Sequence, residues 1–192
     1  MNTVLEEKFI EYEIKKSIFI GYVKPVISKD EAHLFIDMIK AKHSDATHNV
    51  YAYRIIENGQ EIYKACDDGE PKNTAGKPIG EIFNHHNLYN LVVVITRYFG
   101  GIKLGAGGLI RSYAKAAKLA IENSKIIKYE KLNFIVINFD YSKLNLIDNI
   151  LIENKIIDIE KNYEERITYR LSVNNDVIAQ LKEIHDVVLI EG

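Results

Sequence analysis

The sequence predicts an α+β protein made of two domains, residues 1–128 and 129–192. Hydrophobic residues make up 47% and charged residues 27% of the 192 residues, so the chain can bury a core. Short segments that alternate apolar and polar residues, typical of strands, are mixed with apolar stripes at helical spacing. In the second domain these segments follow the order strand, helix, strand, strand, helix, strand, which is a ferredoxin-like plan.

The first domain is predicted to be a sheet of mostly antiparallel strands covered by helices. Asn58 and Gly59 form a strong hairpin signal between the third and fourth strands. The fifth strand, LVVVITRYF, is continuously apolar in its first half, which indicates burial on both faces. The five predicted strands are residues 9–14, 17–26, 47–56, 61–66 and 91–99.

Three helices are predicted to cover this sheet. The first begins at Ser28, because Ser28 and Glu31 fit a capping box, and it ends near His43. The second starts at Gly76. The third is rich in alanine and runs from about residue 109 to 123.

The second domain has strand patterns at residues 133–139, 156–163, 167–173 and 187–190. A helix with an apolar stripe follows the first of these strands, and a second helix is predicted over 175–185. The connecting residues 124–131 are not enriched in Pro, Gly or Ser, so we expect a short and fairly stiff connection.

Most of the unusual backbone chemistry lies between residues 67 and 113. An acidic turn (residues 67–71, DDGEP) joins an Asp-Gly pair, which favours a tight turn, to a Glu-Pro pair, which disfavours helix. A glycine loop (residues 100–108, GGIKLGAGG) follows the fifth strand and carries five glycines. Glycine at this density permits positive φ angles and a close approach to the backbone.

Five submotifs in this stretch, DDGEP, TAG, TRYFGG, LGAGGL and RSY, occur in an order and spacing that resemble the IMPACT/YigZ family. The resemblance implies a first domain like domain 2 of ribosomal protein S5 and a second domain like the fifth domain of elongation factor G. It also implies a link to translation, which eukaryotic relatives regulate through a kinase-activating partner. It implies no firm enzymatic activity.

Two positions depart from the family pattern. Asn73 stands where the family usually has glycine, and asparagine tolerates the left-handed conformation, so the turn should be preserved. Val50 replaces a cysteine that is common in the family, which argues against an obligatory thiol chemistry at that position.

Composition indicates a cytoplasmic protein without cofactor or metal. The single cysteine, Cys66, excludes an internal disulfide and provides no metal-ligand spacing. No apolar run approaches the roughly 20 residues that cross a bilayer, and the first residues do not resemble a signal peptide. We therefore expect no membrane association, and a monomer is the simplest expectation.

The charge is unevenly distributed along a chain whose formal net charge is −2. Residues 71–128 carry nine Lys and Arg but two Asp and Glu, whereas residues 1–70 and 129–192 are both acidic. A positive segment inside an acidic protein suits an anionic partner. Alternatively, its lysines solvate one face of a helix.

The glycine loop and the helix after it are the strongest candidate site for an anion. Backbone amides of Gly105, Ala106, Gly107 and Gly108 could form a concave nest, and a helix N-terminus adds partial positive charge. Arg97 at the end of the buried strand and Arg111, expected in the first helical turn, both require an anionic partner. That partner is either a ligand or the acidic turn, whose residues are Asp67, Asp68, Gly69 and Glu70.

Aromatic side chains near the positive segment suggest stacking on exposed bases. Alternation along the fifth strand places Tyr98 and Phe99 on opposite faces, and we assign Phe99 to the core. Tyr98 and Tyr113 are the rings expected to be exposed. Lys103 within the glycine loop completes the candidate nucleic-acid surface.

Catalytic interpretations receive less support from the sequence. Asp68 or Glu70, with histidines such as His48 or His85, could act as acid and base or bind a metal. However, DDGEP is explained by turn formation alone. The glycine loop lacks the Gly-Lys-Ser/Thr of a Walker A loop and the spacing of a dinucleotide fingerprint.

Besides a protein-interaction module in which the acidic second domain contacts a basic partner, two functions remain open. The first is a non-enzymatic protein that binds RNA, the ribosome or a translation-associated protein through the basic glycine loop and regulates translation. The second is an enzyme that acts on a small phosphorylated or anionic substrate with the acidic turn and the glycine loop.

Overall fold

A computed structural model describes residues 1–191 of the chain, which form two compact units. The first unit is Met1–Tyr129 and the second begins at Glu130. The elements of the first unit are β1 (Asn2–Val4), β2 (Lys8–Ile14), β3 (Ser17–Pro25), α1 (Lys29–Lys42), β4 (His48–Glu57), β5 (Gln60–Cys66), α2 (Gly76–His86), β6 (Leu91–Tyr98), α3 (Ala106–Ser124) and β7 (Ile126–Lys128).

The first unit is built on a five-stranded antiparallel sheet with the order β2-β3-β6-β4-β5. Leu91, Val93 and Ile95 of β6 pack on the face that α2 and α3 cover. Val92 and Val94 pack on the opposite face against α1. The continuous apolar run of β6 therefore reflects burial on both faces, as predicted, because helices cover both sides of the sheet.

The predicted capping box at Ser28 and the predicted hairpin turn at Asn58 and Gly59 are both present in the structure. Ser28 accepts a hydrogen bond from the amide of Glu31, and a carboxylate oxygen of Glu31 accepts one from the amide of Ile27. Asn58 and Gly59 have φ angles of 50° and 75°, and they connect β4 to β5. These motifs are short-range, so their geometry depends little on the rest of the chain.

Several boundaries and two short strands differ from the prediction. The helix α3 begins at Ala106, three residues before the expected start. Two short strands, β1 and β7, pair with each other in antiparallel register and were not predicted. The strand β7 lies within residues 124–131, which the sequence indicated to be a plain connection.

The second unit contains a four-stranded antiparallel sheet with the order β11-β8-β10-β9 and two helices that share its core. Tyr169 and Phe139 meet edge to face in that core with ring centroids 5.0 Å apart. Its elements are β8 (Asn133–Phe139), a short 3-10 helix (Tyr141–Lys143), α4 (Leu144–Glu153), β9 (Ile159–Tyr163), β10 (Ile167–Val173), α5 (Asn175–Lys182) and β11 (Val188–Glu191).

Within residues 1–191, no helix has both the length and the apolar character that crossing a membrane requires.

Candidate functional site

The acidic turn, the end of β6 and the start of α3 meet around a cavity of about 350 Å³. This volume lies at the lower end of the range of small-ligand sites. His48, Glu70, Arg97, Lys103 and Gly105 are among the lining residues. The lining residues that lie farthest apart in the sequence, Thr47 and Leu109, are separated by 62 positions.

Glu70 is the central buried charge of this site. Its Oε1 accepts hydrogen bonds from Nη1 of Arg97 at 2.6 Å and from the hydroxyl of Tyr113 at 2.7 Å. Burial and the adjacent Glu70 carboxylate raise the pKa of Tyr113, so this phenol stays a neutral donor. Glu70 thus connects the acidic turn to both β6 and α3.

Arg97 lies at the cavity with 5% of its surface exposed. Its guanidinium is 5.5 Å from the ring centroid of Phe19 and 5.5 Å from that of Phe99. Nη1 is bound by Glu70, but the buried Nε has no hydrogen-bond acceptor within residues 1–191. An unsatisfied buried donor of a charged group is costly.

The other carboxylates of the acidic turn have structural partners. Asp67 accepts hydrogen bonds from the amides of Asn73, Ala75 and Gly76, so it caps α2, whose own N-cap position lacks a capping side chain. Asp68 accepts one from the amide of Asn49 and pairs with Lys40. As a candidate base, Asp68 is therefore poorly placed, because both of its carboxylate oxygens already accept hydrogen bonds.

Backbone conformation in the turn matches the residue types present. Gly69 has a φ of 87°, Asp68 has 44° and Asn73 has 63°. Asn73 thus adopts the left-handed conformation that was expected where the family usually has glycine, and asparagine is among the non-glycine residues that tolerate it best.

The glycine loop ends in an uncapped helix. Gly105 has a φ of 70° and occupies the N-cap position of α3, and its carbonyl accepts from the amide of Leu109. Among residues 1–191, no acceptor is found for the amides of Ala106, Gly107 and Gly108. The first turn contains no acidic residue, so the positive end of the helix is uncompensated.

Arg111 occupies the second turn of α3 rather than the first, because the helix starts at Ala106. Its side chain is exposed and has no carboxylate partner within the described part of the chain. Arg97, not Arg111, pairs with the acidic turn. Lys103 is also exposed, at the opening of the cavity.

The expectations for the aromatic residues require correction. Tyr113 is fully buried, and Tyr98 is half-buried with its hydroxyl bound to His43 and Asp45. Phe99, which was assigned to the core, is 45% exposed. The reason is that β6 ends at Tyr98, so alternation along the strand no longer determines the direction of Phe99.

His48 is a cavity residue that the sequence indicated as a possible partner of the acidic turn in acid-base or metal chemistry. Antiparallel pairing of β4 with β6 places it directly opposite Arg97. Its Nδ1 donates to the carbonyl oxygen of Asp68 at 2.8 Å, since a carbonyl only accepts. Nε2 is 3.8 Å from Oε2 of Glu70, which is beyond hydrogen-bond distance.

In the described part of the chain, no three His, Cys, Asp or Glu side chains form a group that could hold a metal ion. His85 lies near the end of α2 and is exposed. It is not part of the cavity around Glu70.

A second cavity, of about 630 Å³, lies between β5 and α2. Its buried Arg54 sits between the rings of Tyr63 and Tyr89 and donates to Asn84 at 2.6 Å. The contacts of Arg54 therefore hold β4 against neighbouring elements. The smaller cavity remains the better candidate, because it combines an uncapped helix end with a buried ion pair.

The comparisons with known proteins identify the first unit. The family model named Impact N-terminal domain matches residues 15–121. A relative from Bacillus subtilis (strain 168), IMPACT family member YvyE, is 41% identical over 171 residues, which are 89% of this chain and 78% of the relative. IMPACT family member YigZ from Escherichia coli (strain K12) is 29% identical over 88% of this chain and 83% of its own.

Two further matches cover different shares of the chain. Protein IMPACT from Homo sapiens is 35% identical over 95 residues, which are 47% of this chain and 29% of the human protein. A solved structure, described as the crystal structure of a hypothetical protein, aligns with a TM-score of 0.62 and 25% identity over 98% of this chain and 95% of its own. Because the family model covers more than half of the chain and YvyE matches most of its length, this chain belongs to the IMPACT family.

Proposed function

We propose that this chain is a non-enzymatic, cytoplasmic protein that binds RNA, free or on the ribosome, and thereby regulates translation. The contact surface is the basic rim, which we define as Phe99, Lys103, Arg111 and the first-turn amides of α3. The observation that carries the proposal is Phe99, which is 45% exposed and lines the same cavity as Lys103 and the start of α3. An exposed ring next to cations is the usual way to hold an unstacked base and its phosphate.

The charge distribution supports an anionic partner. Arg111 and Lys103 have no carboxylate partner within residues 1–191, so neither charge is neutralised by the first unit. The segment 71–128 carries a net charge of +7 within a chain of net charge −2. Attraction of a polyanion to this segment would be local, because the remaining segments repel it.

The link to translation rests on the resemblance to the IMPACT family. As part of the same proposal, the first unit is like domain 2 of ribosomal protein S5. The second unit is ferredoxin-like, similar to the fifth domain of elongation factor G. The order β11-β8-β10-β9 supports the latter assignment, since a split β-α-β fold places its first and third strands in the centre. A translation-associated protein is the alternative partner.

RNA binding is tested by fluorescence anisotropy with structured and single-stranded RNAs across a salt series. The change is the triple substitution of Phe99, Lys103 and Arg111 by alanine. We expect the triple variant to lose affinity. The slope of the logarithm of the binding constant against the logarithm of the salt concentration should also become shallower, by about one for each phosphate contact removed. Phe99→Ala alone should weaken binding by about 1–3 kcal/mol, with little change in slope.

Lys29→Ala is the matched control, because Lys29 is an exposed lysine at the start of α1 on the other face of the sheet. The control should bind like the native chain. Equal affinities for the triple variant and the control would contradict the proposal. Light scattering of the same samples tests the expected monomer.

A second candidate function is an enzyme acting on a small phosphorylated or anionic substrate. It is favoured by the buried carboxylate of Glu70 beside His48 in the cavity. A thermal-shift screen with metals and phosphorylated metabolites, followed by turnover assays on the compounds that bind, tests this function. The absence of any stabilising compound at millimolar concentration would eliminate it.

A further inference from the structure

We infer that the cavity beside Arg97 is a phosphate subsite that takes a phosphorylated ribose, either the terminal nucleotide of an RNA strand or a free nucleotide. The inference rests on the proposed RNA-binding function only for the first of these two sources. It extends the site from the exposed basic rim, of which Phe99 and Lys103 also line the cavity, to the buried side chains of Glu70 and Arg97.

The first component is the start of α3. This helix has 19 residues, and the amides of Ala106, Gly107 and Gly108 are without acceptors in the described chain. Gly105 and Ala106 line the cavity, so the positive end of the helix faces it. A phosphate offers several strong acceptor oxygens, which matches a set of converging amide donors.

The second component is independent of the helix. Arg97 lines the same cavity with 7% of its side chain exposed, and its Nε has no acceptor. A charged group that is nine-tenths buried normally has every donor satisfied. A phosphate in the cavity would add negative charge beside a guanidinium that, in the described part of the chain, has Glu70 as its only carboxylate partner.

The third component is a pair of acceptor atoms that suit the hydroxyl groups of a sugar attached to the phosphate. Both hydrogen bonds to Glu70 are made to Oε1, and Oε2 has no donor within bonding distance in the described chain. Nε2 of His48 is also without a hydrogen bond. A ribose hydroxyl can donate to either atom, whereas a second phosphate oxygen at Oε2 would be repelled.

A terminal phosphate fits this site better than a phosphate within a strand. A monoester has three free oxygens and close to two negative charges at neutral pH, whereas a diester has two free oxygens and one charge. The cavity is lined by the start of α3 with its first-turn amides, by the Arg97 guanidinium and by Lys103. The exposed ring of Phe99 lines the same cavity, so it can stack on the attached base.

Ala106→Asp is the decisive variant. A carboxylate at the first position of a helix is favourable for the helix, so we expect the melting temperature to be unchanged or higher. The same carboxylate would occupy the position of the phosphate. Asn175→Asp is the matched control, since it places a carboxylate at the first position of α5 in the second unit. Ala106→Pro is a second test, because proline is accepted at this position but lacks the amide donor.

The probes are inorganic phosphate, AMP, and one RNA oligonucleotide prepared with a 5′-phosphate or a 5′-hydroxyl. In the native chain and the control, phosphate and AMP should shift the amide NMR signals of residues 105–108 saturably. The 5′-phosphorylated oligonucleotide should bind at least ten times more tightly than the 5′-hydroxyl form. Ala106→Asp should abolish the shifts and the tenfold preference.

The outcomes separate this inference from the proposed function. RNA that binds through the basic rim with no preference for a terminal phosphate, together with no response to phosphate or AMP, overturns the subsite and leaves the proposed function intact. Saturable phosphate and AMP binding that Ala106→Asp removes, without any RNA binding, supports the subsite with a free nucleotide as its ligand and contradicts the proposed function.

Discussion

Nη1 of Arg97 lies 2.6 Å from Oε1 of Glu70, and both side chains are buried in the first unit. The two residues come from the central strand β6 and from the acidic turn. Their pairing fixes the turn against the end of the strand and forms one wall of the cavity. The geometry of the candidate site therefore depends on an ion pair inside the fold.

Glu70→Ala should destabilise the fold strongly. Removal of the carboxylate leaves the guanidinium of Arg97 buried and unpaired, which costs about 3–5 kcal/mol. The free energy of unfolding, measured with urea, checks this value. Tyr113→Phe is the milder comparison, because it removes one hydrogen bond to a charged group, worth about 1.5–3 kcal/mol. A Glu70→Ala variant no less stable than Tyr113→Phe would show that the ion pair is not structurally important.

Asp67→Ala should weaken the start of α2. The carboxylate accepts hydrogen bonds from three amides, including those of Ala75 and Gly76, and it replaces the missing capping side chain of α2. We expect a loss of about 2–3 kcal/mol in the free energy of unfolding. Hydrogen exchange of the amides of residues 73–76 should accelerate. Unchanged exchange at these amides would refute the capping role.

Alanine substitutions at two glycines of the glycine loop should change the stability of the fold in opposite directions. A Cβ at Gly100 would overlap the backbone of Lys16, so Gly100→Ala should cost about 1–3 kcal/mol or more. A Cβ at Gly107 would meet only the end of the Arg111 side chain, at 3.5 Å. Gly107→Ala should stabilise α3 by up to about 1 kcal/mol. Thermal unfolding of both variants checks the signs, and destabilisation by Gly107→Ala would contradict the assigned helix start.

His43 should make stability depend on pH. Burial and the nearby charge of Lys42 lower its pKa from 6.5, although Asp45 opposes the shift. The ring is bound by the hydroxyls of Tyr22 and Tyr98, and the Tyr98 hydroxyl donates to Asp45. Below about pH 6.5 the unfolded chain binds more protons at His43 than the folded chain does, so stability should fall as the pH drops through this window.

Urea unfolding at a series of pH values from 7.5 to 5 measures this dependence. In a His43→Gln variant, the part of the dependence that arises from His43 should be absent, whatever its absolute stability. Parallel pH profiles for the native chain and this variant would exclude the titration of His43 as the cause.

The sequence by itself determined most elements of this protein, but not the short strands β1 and β7. The alternation in β2 and β3, the Ser28 capping box and the Asn58-Gly59 turn are each specified within a few residues, so their geometry was predictable without the rest of the chain. The clustering of DDGEP, the end of β6 and the glycine loop also identified the region of the candidate site. Family membership followed from the same motifs.

Only the tertiary structure decided which groups face one another. The pairing of Glu70 with Arg97 and Tyr113 joins residues that are 27 and 43 positions apart. The burial of Tyr113 depends on α3 packing over the sheet, and the exposure of Phe99 depends on where β6 ends. Periodicity assigns a side chain to a face of its element, but long-range packing determines what covers that face, because burial energy depends on the assembled neighbours.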